Sequence, residues 1–147
     1  MTVGDRPGLD SPGDDRTLTL LRERAFAAMD RAYAPYSNFR VGAAILASDG
    51  SVTEGCNVEN AAFPAGLCAE RGAAASAVVR GNRSFETLVI ATEAQEPTPP
   101  CGICRQVLEE FSPRLLVVSV TRDGREARWT LDELLPKAFT PHSLDRR

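Results

Sequence analysis

A three-layer α/β/α sandwich around a mixed sheet is the fold this sequence predicts, and three observations carry that prediction. The turn Ser48-Asp49-Gly50-Ser51 separates two short apolar segments, and an Asp-Gly pair in that setting reads as an antiparallel hairpin. Beyond the hairpin, segments of strand character alternate with segments of helical character, which implies parallel crossovers with helices covering the sheet. The chain has 147 residues, a length that suits one domain with a substantial core.

Residues 1–15 are rich in Gly, Pro and Asp with few large apolar side chains, so a loose leader is expected there. Leu18, Leu21, Ala25, Ala28, Met29 and Ala32 recur at helical spacing behind Asp15 or Thr17 as caps, which predicts a first helix running until Pro35 stops it. Val41–Ala47 and Val52–Cys56 form the hairpin, and a loop follows from Asn57 to Gly66. A helix of small residues is predicted from Cys68 to about Arg80, ended by Gly81-Asn82, and Thr87–Thr92 reads as a buried strand. Another helix spans Cys101–Phe111, then come the strand Leu115–Val120, an Asp123-Gly124 turn, an edge strand around Trp129 and a final helical turn from Thr130 or Asp132. The expected organisation is a leader (1–15), one domain (16–140) and a tail (141–147).

Composition narrows the function. The balance of 17 basic against 20 acidic residues leaves a net charge of −3, and no Lys/Arg run occurs outside Arg146-Arg147, so the electrostatic footprint of a polynucleotide binder is missing. A small soluble substrate fits better. No apolar stretch approaches bilayer length and no signal-peptide pattern opens the chain, which places it in the cytoplasm, away from membranes, with reduced thiols.

Chemistry concentrates in Cys68-Ala69-Glu70 and Pro100-Cys101-Gly102-Ile103-Cys104. A structural zinc is closed by four protein ligands, whereas a catalytic zinc keeps one position for water, so three cysteines beside an acid favour the catalytic kind. Cys68 and Cys101 fall at predicted helix starts, where free N–H groups and the helix dipole stabilise thiolates. Cys101 and Cys104, three apart, face one side of a first helical turn, and Gly102 is expected to let the backbone approach closely. Three thiolates leave the site formally at −1, and Arg71 is placed to hydrogen-bond a ligand sulfur and withdraw charge.

Four stretches, Ala34–Ala44, Gly55–Phe63, Leu67–Arg71 and Pro100–Leu108, together resemble the small homotetrameric zinc-dependent cytidine deaminases. The resemblance runs in order from the first helix to Phe139. It implies a five-stranded sheet and one Zn²⁺ per chain, held by Cys68, Cys101 and Cys104. Glu70 is the implied proton shuttle, passing protons from water to ring N3 and to the leaving amine. It implies that Asn57 and Glu59 bind the sugar's 3′-hydroxyl, that Phe39 packs on the pyrimidine, and that Phe63 and Phe139 lie near a neighbouring subunit's pocket in a homotetramer with shared sites. The implied reaction converts cytidine and 2′-deoxycytidine to uridine and 2′-deoxyuridine with release of ammonia, in pyrimidine salvage. Phe63 stands where the family commonly has Tyr, and Pro99 where it often has Ser.

Several residues have plainer readings. Cys56 would close a Cys₄ site by count, but a buried inert thiol is the better reading. Outside the motif, Phe39, Phe63 and Phe139 would be core or interface residues. Glu59 alone would be an exposed acid, Arg105 is read as structural, His142 as an exposed tail residue and Trp129 as packing. The competing functions are deamination of an aminopyrimidine antibiotic such as blasticidin, deamination of a base within RNA or DNA, and a non-catalytic zinc-stabilised interaction module.

Overall fold

The sheet has strand order β2-β1-β3-β4-β5, and the sequence dictates which face of it each helix covers. The computed structural model describes residues 12–145. Its strands are β1 (Val41–Ala47), β2 (Val52–Cys56), β3 (Phe85–Thr92), β4 (Leu116–Thr121) and β5 (Glu126–Thr130), and its helices are α1 (Asp15–Met29), α2 (Ala69–Val79), α3 (Gly102–Glu109) and α4 (Leu131–Leu134). Along β1 the side chains alternate, as a pleated strand requires. Ala44 and Leu46 face Leu18, Leu21, Ala25 and Met29 of α1, while Ala43, Ile45 and Ala47 face Ala69, Ala73 and Ala77 of α2 together with Leu108 of α3. The expected three layers follow from that two-sided burial.

Strand directions place the site. β1 runs antiparallel to both β2 and β3, and β3 runs parallel to β4. β2 and β3 therefore point the same way, and the helices that follow them, α2 and α3, both start beyond the same end of the sheet. This is the end where α/β proteins gather ligand-binding loops.

Two glycines set how closely the layers approach. A Cβ on Gly42 would lie 1.9 Å from the Ala25 carbonyl oxygen, and one on Gly55 would lie 2.2 Å from the Ala69 carbonyl oxygen and 2.4 Å from the Ala73 nitrogen. The backbones of β1 and β2 thus touch α1 and α2 directly, as only glycine permits. Thr53 adds a buried bond from its hydroxyl to the Ala73 carbonyl at 3.0 Å.

Some boundaries differ from the sequence reading. The cap of α1 is Asp14, whose carboxylate accepts from the Thr17 N–H and hydroxyl at 2.8 Å each. The helix ends at Met29 rather than near Pro35, because Tyr33 is drawn into a bridge with Val58, its N–H donating to the Asn57 carbonyl at 3.0 Å. Tertiary pairing overrides helical periodicity there. α3 stops at Glu109, β3 starts two residues early at Phe85, and β4 is displaced by one residue. Thr130 does cap α4, its N–H donating to the Glu133 carboxylate at 2.7 Å. Residues 1–11 of the expected leader and Arg146-Arg147 lie outside the described residues, whereas Asp15 opens α1 and Pro141–Leu144 form a 3-10 turn.

Candidate active site

The tips of α2 and α3 bring the three sulfurs together. Cys68 is the N-cap of α2 and Cys101 the N-cap of α3, each with extended backbone, and Cys104 sits in the first turn of α3. All three sulfurs lie within 4.8 Å of one another, with 3.9 Å between Cys68 and Cys101 and 3.5 Å between Cys101 and Cys104. A tetrahedral zinc with Zn–S bonds of about 2.3 Å needs sulfurs about 3.8 Å apart, so the spacing fits that ion.

Electrostatics point the same way. The thiol of Cys68 is pushed down to about 5, by the adjoining Cys104 thiol first and by Arg71 and Cys101 after it, against the opposing effect of burial. Cys104 is pushed up by that same contact, by burial and by the nearby Glu70. Without a cation Cys68 favours the thiolate and Cys104 resists it. A divalent metal reverses that balance and accepts all three as thiolates, aided by two helix N-termini.

Glu70 occupies the first turn of α2 and is 5% exposed. Burial, and the negative charge of Cys68 beyond it, push its carboxyl above the usual carboxylate range. Such a group holds a proton more readily at mild pH, as proton transfer requires. Arg71 donates from Nη2 to the Gly66 carbonyl at 3.1 Å and approaches Cys68 Sγ at 3.8 Å, while its buried Nε has no partner among the described residues.

A cavity of about 280 Å³ opens onto this centre, and Phe39, Asn57, Glu59, Cys68, Glu70 and Cys101 line it. An adjoining cleft of about 510 Å³ shares Asn57, Glu59 and Cys68 and extends to Phe63 and Arg71. Glu59 is held below the usual carboxylate range by the Ser37 hydroxyl first and by the Ser37 and Tyr36 N–H groups. Phe63 is 76% exposed at the outer rim and meets Tyr36 edge-on, with ring centroids 6.0 Å apart. Phe139 is also exposed and lies outside both linings; its carbonyl accepts from Gln106 Nε2 at 2.7 Å.

The sequence reading gave no site role to Ile90, Thr92, Thr98 and Pro99, which also line the cavity. Thr92 ends β3 and the others need the folded sheet to be placed, so spacing alone carries no signal for them. Two expectations are corrected, those for Gly102 and Cys56. A Cβ on Gly102 would meet nothing within 4 Å, so no close backbone approach occurs there. Cys56 is half-buried, not buried, and lines a separate groove with Arg24 and Arg31. Arg105 is structural, as read: it donates to the carbonyls of Pro100 (2.8 Å) and Leu134 (2.9 Å), tying the residue before Cys101 to the C-terminal segment. His142 is exposed and Trp129 packs on the core, as expected.

Three sulfurs that fit zinc, with a buried acid lining the cavity beside Cys68 and Cys101, are the site of a zinc-dependent hydrolytic deaminase. The sequence model of the cytidine and deoxycytidylate deaminase zinc-binding region matches residues 16–120, and the chain belongs to that family. It is 45% identical over 118 residues to a cytidine deaminase of Sporosarcina psychrophila, covering 80% of this chain and 87% of that one. A cytidine deaminase of Halalkalibacterium halodurans is 40% identical over 129 residues, covering 86% and 96%. The crystal structure of cytidine deaminase from Burkholderia pseudomallei superposes with a TM-score of 0.79 at 46% identity, covering 82% of this chain and 98% of that one. Among the described residues, no helix is long and apolar enough to cross a membrane.

Proposed function

We propose that this chain hydrolyses cytidine and 2′-deoxycytidine to uridine and 2′-deoxyuridine, releasing ammonia. The observation that carries the reading is the position of Glu70: buried in the first turn of α2, lining the same cavity as Cys68, Cys101, Phe39, Asn57 and Glu59. Cys68, Cys101 and Cys104 would hold the zinc, which supplies Lewis acidity that makes a water nucleophilic near neutral pH.

Glu70 does the proton work. It takes one proton from the attacking water and places it on ring N3 as the bond to C4 forms, then takes the second from the new C4 hydroxyl and delivers it to the amine as the C4–N bond breaks. Water's oxygen ends as the uracil carbonyl, and the nitrogen leaves as ammonia. Phe39 offers an apolar face to the pyrimidine, and Asn57 and Glu59 offer polar atoms to the sugar's 3′-hydroxyl. Nothing in that set requires a 2′-hydroxyl, so both nucleosides react. Arg71 draws charge from Cys68.

The reading extends to a cytoplasmic homotetramer in pyrimidine salvage, with residues 16–140 acting as one domain. Exposed Tyr36, Phe63, Ile103 and Phe139 support contact between copies. The test is direct: purified protein incubated with cytidine loses the cytidine absorbance band and releases ammonia, while light scattering gives four chains per particle. Persistence of the band with zinc bound would defeat the catalytic assignment, and strong salt-sensitive oligonucleotide binding would instead favour a base within a polynucleotide.

A further inference from the structure

We propose that Asn57 and Glu59 also hold the loop from Tyr36 to Val41, and with it Phe39, in the shape that receives the pyrimidine ring. The proposal deepens the reading of these two as sugar contacts and rests on it. Oε1 of Glu59 accepts from the N–H groups of Tyr36 at 3.0 Å and Ser37 at 3.1 Å. Asn57 grips the other end, its Oδ1 accepting from the Val41 N–H at 2.8 Å and its Nδ2 donating to the Phe39 carbonyl at 2.7 Å.

Between those grips the loop has no regular secondary structure of its own. Its centre, Asn38, sits at φ 54°, the one positive φ among the described non-glycine residues. A residue in that region persists only where its surroundings hold it. The Asn38 N–H donates to the Ala34 carbonyl at 3.0 Å and the Phe39 N–H to Ser37 Oγ at 3.0 Å, both within the segment, and the Arg40 side chain pairs with Glu93 outside it. The main chain of Tyr36, Ser37 and Phe39 is tied to the rest of the fold through Asn57 and Glu59.

Hydrogen-bonding capacity allows both roles. A carboxylate accepts on two oxygens, and the loop uses Oε1 of Glu59; an amide has two N–H donors and two lone pairs, and the loop uses one of each on Asn57. Each side chain keeps a free part for the ligand. Base recognition and sugar recognition are thereby linked, although the base touches neither group.

A ligand without a sugar separates the two roles. In the zinc-loaded full-length protein, free cytosine is measured as a competitor of cytidine turnover in wild type, Glu59→Ala and Glu59→Gln, with amide hydrogen exchange of the Tyr36–Val41 segment followed in parallel. In Glu59→Ala, cytosine binding is expected to weaken about fivefold or more, the scale of a lost hydrogen bond, with exchange at Tyr36 and Ser37 accelerated. Glu59→Gln, whose amide oxygen still accepts from both N–H groups, restores cytosine binding and exchange while cytidine stays impaired. Equal weakening of cytosine and cytidine would support the loop role and remove the sugar contact. Unchanged cytosine binding and exchange in Glu59→Ala, with cytidine alone weakened, would overturn the proposal and leave the sugar contact standing.

Discussion

Arg71 reaches back from the first turn of α2 to within 3.8 Å of the sulfur of Cys68, the residue that caps the same helix. The same guanidinium donates to the Gly66 carbonyl at 3.1 Å, which fixes its direction. One cation thus serves both the loop that leads into the helix and the thiolate that begins it. Cys68 in turn raises the pKa of Arg71, first through their hydrogen bond, so the positive charge is kept.

Arg71→Gln is expected to lower turnover and zinc retention more than it lowers fold stability. A charge-assisted hydrogen bond is worth about 1.5–3 kcal/mol, so release of zinc to a competing chelator should speed about tenfold or more. Zinc content, kcat and Tm are measured on the same preparation. Unchanged kinetics with unchanged metal content would remove Arg71 from the site.

Glu70→Gln is expected to keep zinc and lose nearly all deamination. General acid/base groups contribute about 10²–10⁴-fold, and one that moves several protons contributes at the upper end. The uncharged amide also relieves a buried acid, so Tm should hold or rise. Substantial residual turnover would contradict the proton-transfer role.

Gly55→Ala tests how tightly β2 lies on α2. The added carbon would stand 2.2 Å from the Ala69 carbonyl oxygen, and both partners are main chain, so the helix itself must move. Overpacking of this kind costs about 1–3 kcal/mol, occasionally more. Because α2 carries Cys68 at its cap, activity should fall along with stability. A urea midpoint within experimental error of wild type would show that the layers tolerate the shift.

Glu126 gives a pH dependence of known sign. Burial pushes its carboxyl up, but Arg22 and Arg128, at 2.5 and 2.6 Å, outweigh burial together and leave the pKa lowered. A lowered folded-state value means the stabilisation is present above the unfolded value of about 4.3 and disappears as pH falls through the lower folded value. For a partly exposed group the effect is about 0.5–1 kcal/mol. Glu126→Gln should therefore lower Tm at pH 7 and leave it near wild type at pH 2.5; an equal loss at both would assign the effect to packing.

Local chemistry was legible in the sequence and tertiary contact was not. The Asp49-Gly50 hairpin, the helix starts at Cys68 and Cys101 and the pairing of Cys101 with Cys104 follow from neighbours a few residues apart, and the structure has them as read; Cys68, 33 residues before Cys101, was legible only through its motif. The early end of α1 depends on Tyr33 meeting Val58, a pairing 25 residues away that periodicity does not encode. Nothing in the local sequence marks Gly42 and Gly55 as contact points, because the backbones they meet belong to α1 and α2. The grips of Glu59 and Asn57 on the loop around Phe39 belong to this second kind, since they join segments far apart in sequence.

The composition of the metal's coordination sphere tests the central claim most directly. X-ray absorption at the zinc edge, with metal analysis on the same purified protein, is expected to give one zinc per chain surrounded by three sulfurs and one lighter atom. A protein that binds no zinc, or a sphere of four sulfurs, would contradict an open catalytic site at Cys68, Cys101 and Cys104.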